Sequence, residues 1–209
     1  MTALDQLRAM VVLPVVIADD PAAGFLLREA LIGGGLPVAE VTLRTPAALG
    51  VIRVLAERGD ILVGAGTVLS PVQVDQAVDA GATFIVSPGL SHAVVERCLE
   101  RGVLPLPGAV TATEVQAAVE LGLDTVKFFP AESAGGTRAM TALSAPFAEV
   151  SFIPTGGIDS ANLDSYLALP SVAAVGGSWM VPRDVLRAGD TGRLRDLITG
   201  AVAQVRRSR

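Results

Sequence analysis

One histidine, one cysteine, and no sustained run of basic or apolar residues mark this 209-residue sequence. His92 alone cannot assemble a metal site, and no pair of cysteines is available to help it, so no metal or other cofactor is expected. His92 follows Ser91, a residue type that caps helix N-termini, and reads as an exposed helix-start side chain. Cys98 sits in Ala93-Val94-Val95-Glu96-Arg97-Cys98-Leu99 without a partner or a nearby activating group, and reads as packing. The net charge is −5 and basic residues cluster only in the tail Arg206-Arg207-Ser208-Arg209, which reads as a frayed end; a nucleic-acid surface is not expected. The longest apolar run, residues 10–18, is interrupted by Pro14 and reaches about half the length needed to cross a bilayer, so no membrane partner is expected. Met1-Thr2-Ala3-Leu4-Asp5-Gln6-Leu7 lacks the basic start and apolar core of a secretory signal, which points to the cytoplasm.

The 51% hydrophobic content supports one sizeable core, and residues 1–209 read as a single domain. After a short amphipathic lead, Val11-Val12-Leu13-Pro14-Val15-Val16-Ile17 is a continuous apolar run like a buried parallel strand. Asp19-Asp20-Pro21 then signals a helix start, and Gly33-Gly34-Gly35 a stop. This strand, loop, helix and glycine unit recurs. Further strands are expected at residues 38–43, 61–65, 84–86, 103–106, 125–129, 151–153 and 172–175, with a last helix over 192–206. Strands alternating with helices at this spacing form a parallel sheet, and the total of eight favours an α/β fold, a (β/α)₈ TIM barrel with a short N-terminal helix. A doubly wound open sheet is the alternative. It would want a glycine fingerprint after the first strand, where Ala18-Asp19-Asp20-Pro21 stands instead.

Barrel active sites form at the C-terminal ends of the strands. Because side chains alternate faces, Glu40, Thr42 and Arg44 share one side of the second strand, and the apolar Val41 and Leu43 claim the helix side. The same parity on the sixth strand turns Thr125, Lys127 and Phe129 inward. Inward polar groups cost free energy unless paired or functional. A structural Glu40–Arg44 ion pair would satisfy two of them, and a strand-end lysine reaching solvent would account for the third. The functional reading is that an interior lysine, with its charged form disfavoured, becomes a nucleophile. Lysine, carboxylate and arginine in one enclosure suit Schiff-base chemistry on a 2-oxo acid: Lys127 attacks, Glu40 moves protons and Arg44 holds the carboxylate. Thr67, after the third strand, either joins that carboxylate site or bonds its own loop. Gly156-Gly157 after the seventh strand and Gly177-Ser178 after the eighth are either turn glycines or the phosphate-binding loops that barrels often carry there.

Gly35-Leu36-Pro37-Val38-Ala39-Glu40-Val41-Thr42-Leu43-Arg44 and Gly122-Leu123-Asp124-Thr125-Val126-Lys127-Phe128-Phe129-Pro130-Ala131-Glu132 closely resemble the signature segments of the 2-keto-3-deoxy-6-phosphogluconate (KDPG) aldolase and 4-hydroxy-2-oxoglutarate (KHG) aldolase family. The resemblance extends through Val63-Gly64-Ala65-Gly66-Thr67-Val68, Ser87-Pro88-Gly89 and Gly176-Gly177-Ser178-Trp179. It implies a metal-free (β/α)₈ class I aldolase, usually a homotrimer, acting on a phosphorylated 2-keto sugar acid. By position it places the Schiff-base lysine on Lys127, the proton-transferring glutamate on Glu40 and the carboxylate contacts on Arg44 and Thr67. The phosphate loops fall on Gly156, Gly157, Gly177 and Ser178, and the pocket lining on Pro88, Phe129 and Thr155. The galactonate epimer of the substrate, a non-aldolase phosphate-binding barrel enzyme, and a non-catalytic binder of sugar acids are the alternative readings.

Overall fold

The computed structural model describes residues 1–208 and closes eight parallel strands into a barrel. The strands are β1 (Val12–Val16), β2 (Val38–Thr42), β3 (Leu62–Gly66), β4 (Phe84–Val86), β5 (Leu104–Leu106), β6 (Thr125–Phe128), β7 (Ser151–Pro154) and β8 (Val175–Gly177). Six form a continuous sheet in the order β5-β4-β3-β2-β1-β8, and β6 pairs with β7. Short bridges join this pair to the larger sheet on both sides. On one side Lys127 donates its N–H to the Pro107 carbonyl and accepts from Ala109 N–H, both at 2.8 Å. On the other, Phe152 bridges Val172 and Thr155 bridges Gly176. An open sheet is excluded by this closure.

Helices α2 (Ala23–Gly33), α3 (Ala48–Ala56), α4 (Pro71–Asp79), α5 (His92–Glu100), α6 (Ala112–Glu120), α7 (Gly136–Ser144), α8 (Leu163–Leu167), α9 (Arg183–Arg187) and α10 (Thr191–Ser208) cover the outside, with α1 (Ala3–Met10) ahead of β1. Helix α3 shows why they dock: Ala48, Val51, Ile52 and Leu55 recur at helical spacing and are fully buried. Each large side chain of that kind contributes roughly 1.5–3 kcal/mol relative to exposure. Their starts were legible as polar caps. Ser70 accepts from Gln73 N–H, Ser91 from Val94 N–H, and Thr111 forms a reciprocal capping box with Glu114. His92 opens α5 and is exposed. Cys98 is buried in the core, and burial pushes its thiol up to about 12, which keeps it protonated and inert.

Four details depart from the sequence expectations. Helix α2 begins at Ala23 rather than at the Asp-Pro step: Asp20 accepts from Ala22 N–H at 2.8 Å, while Asp19 is drawn away by Arg183 and Arg187. Strand β8 lies at Val175–Gly177 instead of residues 172–175, because β1 pairs Val12, Leu13 and Pro14 with Val175, Gly176 and Gly177. A register set by a neighbouring strand overrides the weak strand preference of glycine. The tail is ordered helix through Ser208, whose hydroxyl donates to Asp164 at 2.7 Å; Arg209 lies outside the described residues. Helix α9 has no counterpart in the sequence reading.

Candidate active site

Two glycines on β3 make room for the site. Gly64 and Gly66 face inward by parity, and a Cβ at either would collide with a neighbouring strand's side chain. The Phe84 ring of β4 occupies the space at Gly64, and the carboxylate of Glu40 lies over Gly66. Strand β2 sits beside β3 with Glu40 opposite Gly64 and Thr42 opposite Gly66. Glu40 therefore extends into the barrel interior with 1% exposure.

Lys127 meets it there. Val126 and Phe128 pack outward at 0% and 1% exposure, so Lys127 turns inward, 7% exposed, with Nζ 3.2 Å from Glu40 Oε1. Nζ also stands 5.1 Å from the centre of the Phe129 ring, within the range of a cation–π contact. The lysine is thus neither a solvent-seeking strand end nor a partner of surface carboxylates. The proposed Glu40–Arg44 pair does not form, since Glu40 is taken by Lys127. Thr42, the third inward polar residue of β2, donates to the Val16 carbonyl at 2.9 Å.

Beside this pair opens a cavity of about 160 Å³, lined by Val15, Ile17, Arg44, Phe129, Thr155, Gly156, Gly157, Ile158, Gly177 and Ser178. Seven of the residues singled out in the sequence converge on it from the ends of β2, β6, β7 and β8. The Arg44 side chain has no hydrogen bond or ion pair among the described residues, which leaves its guanidinium available to an anionic ligand. Gly156 and Gly157 hold φ of +102° and +78°, a conformation that L side chains rarely adopt. A Cβ at Gly176 would strike the Thr155 hydroxyl, so that glycine keeps Thr155 turned toward the cavity.

Thr67 and Pro88 stand outside the cavity lining. Pro88 is exposed after β4, with its carbonyl packed on Gly108. Thr67 follows Gly66 half-buried, at φ +57°. A β-branched residue in that region carries strain of about 1–3 kcal/mol, and flanking bonds from Leu43 N–H to Gly66 and from Val68 N–H to Val86 hold it there. Its hydroxyl makes no bond to its own loop among the described residues.

A larger cavity, about 370 Å³, lies between α2 and α9. Asp19 and Arg187 on its wall are bound to each other at 2.6 Å, whereas the smaller cavity holds Arg44, unpartnered among the described residues, and the Phe129 ring that stands over Lys127 Nζ, so the chemistry belongs to the smaller one. Sequence reasoning missed Val15 and Ile17, because an all-apolar strand hides which parity faces the mouth. It also passed over a compositional signal. Lys127 is the only lysine in the chain.

Comparison with known proteins agrees with this geometry. The family model "Aldolase: KDPG and KHG aldolase" matches residues 4–197. The KHG/KDPG aldolase of Escherichia coli (strain K12) is 46% identical over 193 residues, covering 91% of this chain and 90% of the relative. Among solved structures, KDPG aldolase from Legionella pneumophila, with pyruvate captured at low pH as a covalent carbinolamine intermediate, superposes with a TM-score of 0.92. It is 37% identical, and the match covers 96% of this chain and 98% of that one. The KDPG aldolase of Zymomonas mobilis ZM4, solved with 3-phosphoglycerate, gives a TM-score of 0.89 at 42% identity, covering 96% and 95%. With sequence and backbone in agreement along nearly its whole length, the chain belongs to the KDPG and KHG aldolase family.

Proposed function

We propose that residues 1–209 form a single class I aldolase domain that cleaves KDPG into pyruvate and glyceraldehyde 3-phosphate. It would also split 4-hydroxy-2-oxoglutarate into pyruvate and glyoxylate. The observation that carries this reading is the buried Lys127–Glu40 pair at 3.2 Å, set beside a cavity that presents Arg44, unpaired among the described residues, the Gly156-Gly157 turn and the Gly177-Ser178 end of β8.

Proton transfer from Nζ to Glu40 across that contact frees the lysine lone pair for attack on the C2 carbonyl of the 2-keto acid. Glu40 returns a proton to the departing hydroxyl as the carbinolamine loses water. The resulting iminium draws in the electron pair of the C3–C4 bond while Glu40 accepts the C4 hydroxyl proton, and the aldehyde leaves. Protonation of the enamine at C3 and hydrolysis then release pyruvate and restore the amine. Arg44 and Thr67 hold the carboxylate so that C2 lies within reach of Nζ. Phe129 bounds the pocket, and Thr155 orients the leaving fragment. The Legionella relative's carbinolamine supports this sequence of steps, with the corresponding adduct here on Lys127.

Phosphate binding falls to Gly156, Gly157, Gly177 and Ser178, which line the cavity together. The 3-phosphoglycerate in the Zymomonas structure supports a phosphorylated substrate. Pyruvate release, coupled to lactate dehydrogenase, tests the assignment on KDPG, its galactonate epimer and 4-hydroxy-2-oxoglutarate. Ser178→Ala should raise KM for KDPG by about tenfold, the scale of one hydrogen bond to a charged group, and leave 4-hydroxy-2-oxoglutarate within about twofold. Equal effects on both would remove the phosphate role, and no pyruvate from any of the three would remove the activity. The family resemblance further supports a cytoplasmic homotrimer. Light scattering should then give three times the chain mass, and a mass of one or two chains would refute the trimer.

A further inference from the structure

We propose that Tyr166 is a positioning residue for the phosphate subsite: through Glu132 its hydroxyl fixes the shape of the Gly156-Gly157 turn. This rests on reading that turn as the phosphate site.

Tyr166 is the only tyrosine in the chain, carried by α8 and fully buried. A phenylalanine would fill an apolar core equally well, so the buried hydroxyl needs a reason. Its O–H donates to Glu132 Oε1, and burial, reinforced by that bond, holds the phenol well above its ordinary pKa and so in the donor form. Glu132 belongs to the loop after β6, which runs alongside the loop after β7. Ala131 N–H donates to the Thr155 carbonyl at 2.8 Å, and Glu132 N–H donates to Gly156 at 3.1 Å. The methylenes of Glu132 lie against Gly157, where a Cβ would meet Glu132 Cβ and Cγ at 2.7 and 2.8 Å. The Gly157 carbonyl is held from its other side by Asn162 Nδ2 at 3.1 Å.

Glu132 is therefore a wedge, and Tyr166 fixes where the wedge points. Gly136, at φ +62°, leaves space for the pair: a Cβ there would come 3.3 Å from Glu132 Oε1 and 3.6 Å from the Tyr166 hydroxyl. The hydrogen bond also turns the carboxylate toward α8. An uncompensated carboxylate swinging over the glycine turn would repel a phosphate dianion.

Tyr166→Phe keeps the ring and removes only the anchor. It should raise KM for KDPG and Ki for inorganic phosphate by about tenfold, the low end of what a hydrogen bond to a charged group is worth. Expected alongside are an unchanged kcat and an unchanged kcat/KM for 4-hydroxy-2-oxoglutarate. Glu132→Ala should reproduce that split, and Glu132→Gln, which keeps the stem and an acceptor oxygen, should restore the wild-type KM. Thermal melts check that each variant is folded. Equal losses on both substrates, or none on either, would overturn the role of Tyr166. If inorganic phosphate inhibits wild type and Tyr166→Phe alike while Ser178→Ala weakens it, the subsite stands and the positioning falls. If inorganic phosphate fails to inhibit wild type, the subsite reading falls and takes the positioning with it.

Discussion

Lys127→Met should show no aldol cleavage of KDPG, a loss in kcat on the order of 10⁵-fold or more, the scale on which deletion of an enzymic nucleophile acts. Pyruvate with borohydride should add one reduced pyruvyl mass to the wild-type chain at Lys127 and none to that position in the variant. The experiment is unusually clean in this protein. Its only side-chain amine is Lys127, so any trapped adduct lies there or on the terminal amine. Retained turnover, or an adduct on the terminal amine alone, would remove the Schiff-base mechanism. It would favour a barrel in which the lysine is an electrostatic anchor. The substitution also leaves Glu40 buried without its partner, and breaking a buried pair in this way costs about 3–5 kcal/mol. Pairing Lys127→Met with Glu40→Gln should recover part of that stability but none of the activity, which separates lost chemistry from lost folding. The comparison requires melting curves beside the rates.

Glu40→Gln should leave substrate binding nearly intact and lower kcat by about 10²–10⁴-fold, the usual contribution of a positioned proton-transfer group. The amide fills the same space over Gly66 and still offers an oxygen to the lysine, so the effect is chemical rather than steric. Exchange of the pyruvate methyl protons in deuterated water isolates the enamine protonation step, and it should fall together with kcat. Slow borohydride trapping should survive, because the nucleophile remains. A variant within about tenfold of wild type in both measurements would pass the proton-transfer role to another group. No other carboxylate contacts Lys127 among the described residues.

The centre of this site was legible because parity is a strong constraint. Val41 on β2 and Val126 and Phe128 on β6 must face the helices, and that alone turned Glu40 and Lys127 toward each other across 87 residues of sequence. Arg44, the Gly156-Gly157 turn and Gly177 followed from their places at strand ends. What could not be read were facts set by partners distant in the chain. Gly66 signalled nothing until Glu40 was seen lying on it, and the start of β8 depended on its register with β1. Tyr166 carried no signal in the sequence, since its hydroxyl's partner Glu132 lies 34 positions away, and Thr67 gave no hint of its left-handed backbone. The Asp19 cap was lost to arginines more than 160 positions away.

The two junctions that join β6 and β7 to the rest of the barrel have a consequence for how the enzyme fails. Six strands are laced continuously, whereas this two-strand panel is attached through bridges at Lys127 on one side and at Phe152 and Thr155 on the other. The peptide of Lys127 is itself a fastening of the wall, and Thr155 is part of the opposite one. Partial opening of such a structure begins where lacing is sparsest. Here that would carry Lys127 away from Glu40 while most of the sheet stayed paired, so heat or denaturant would silence the enzyme before it lost its overall fold.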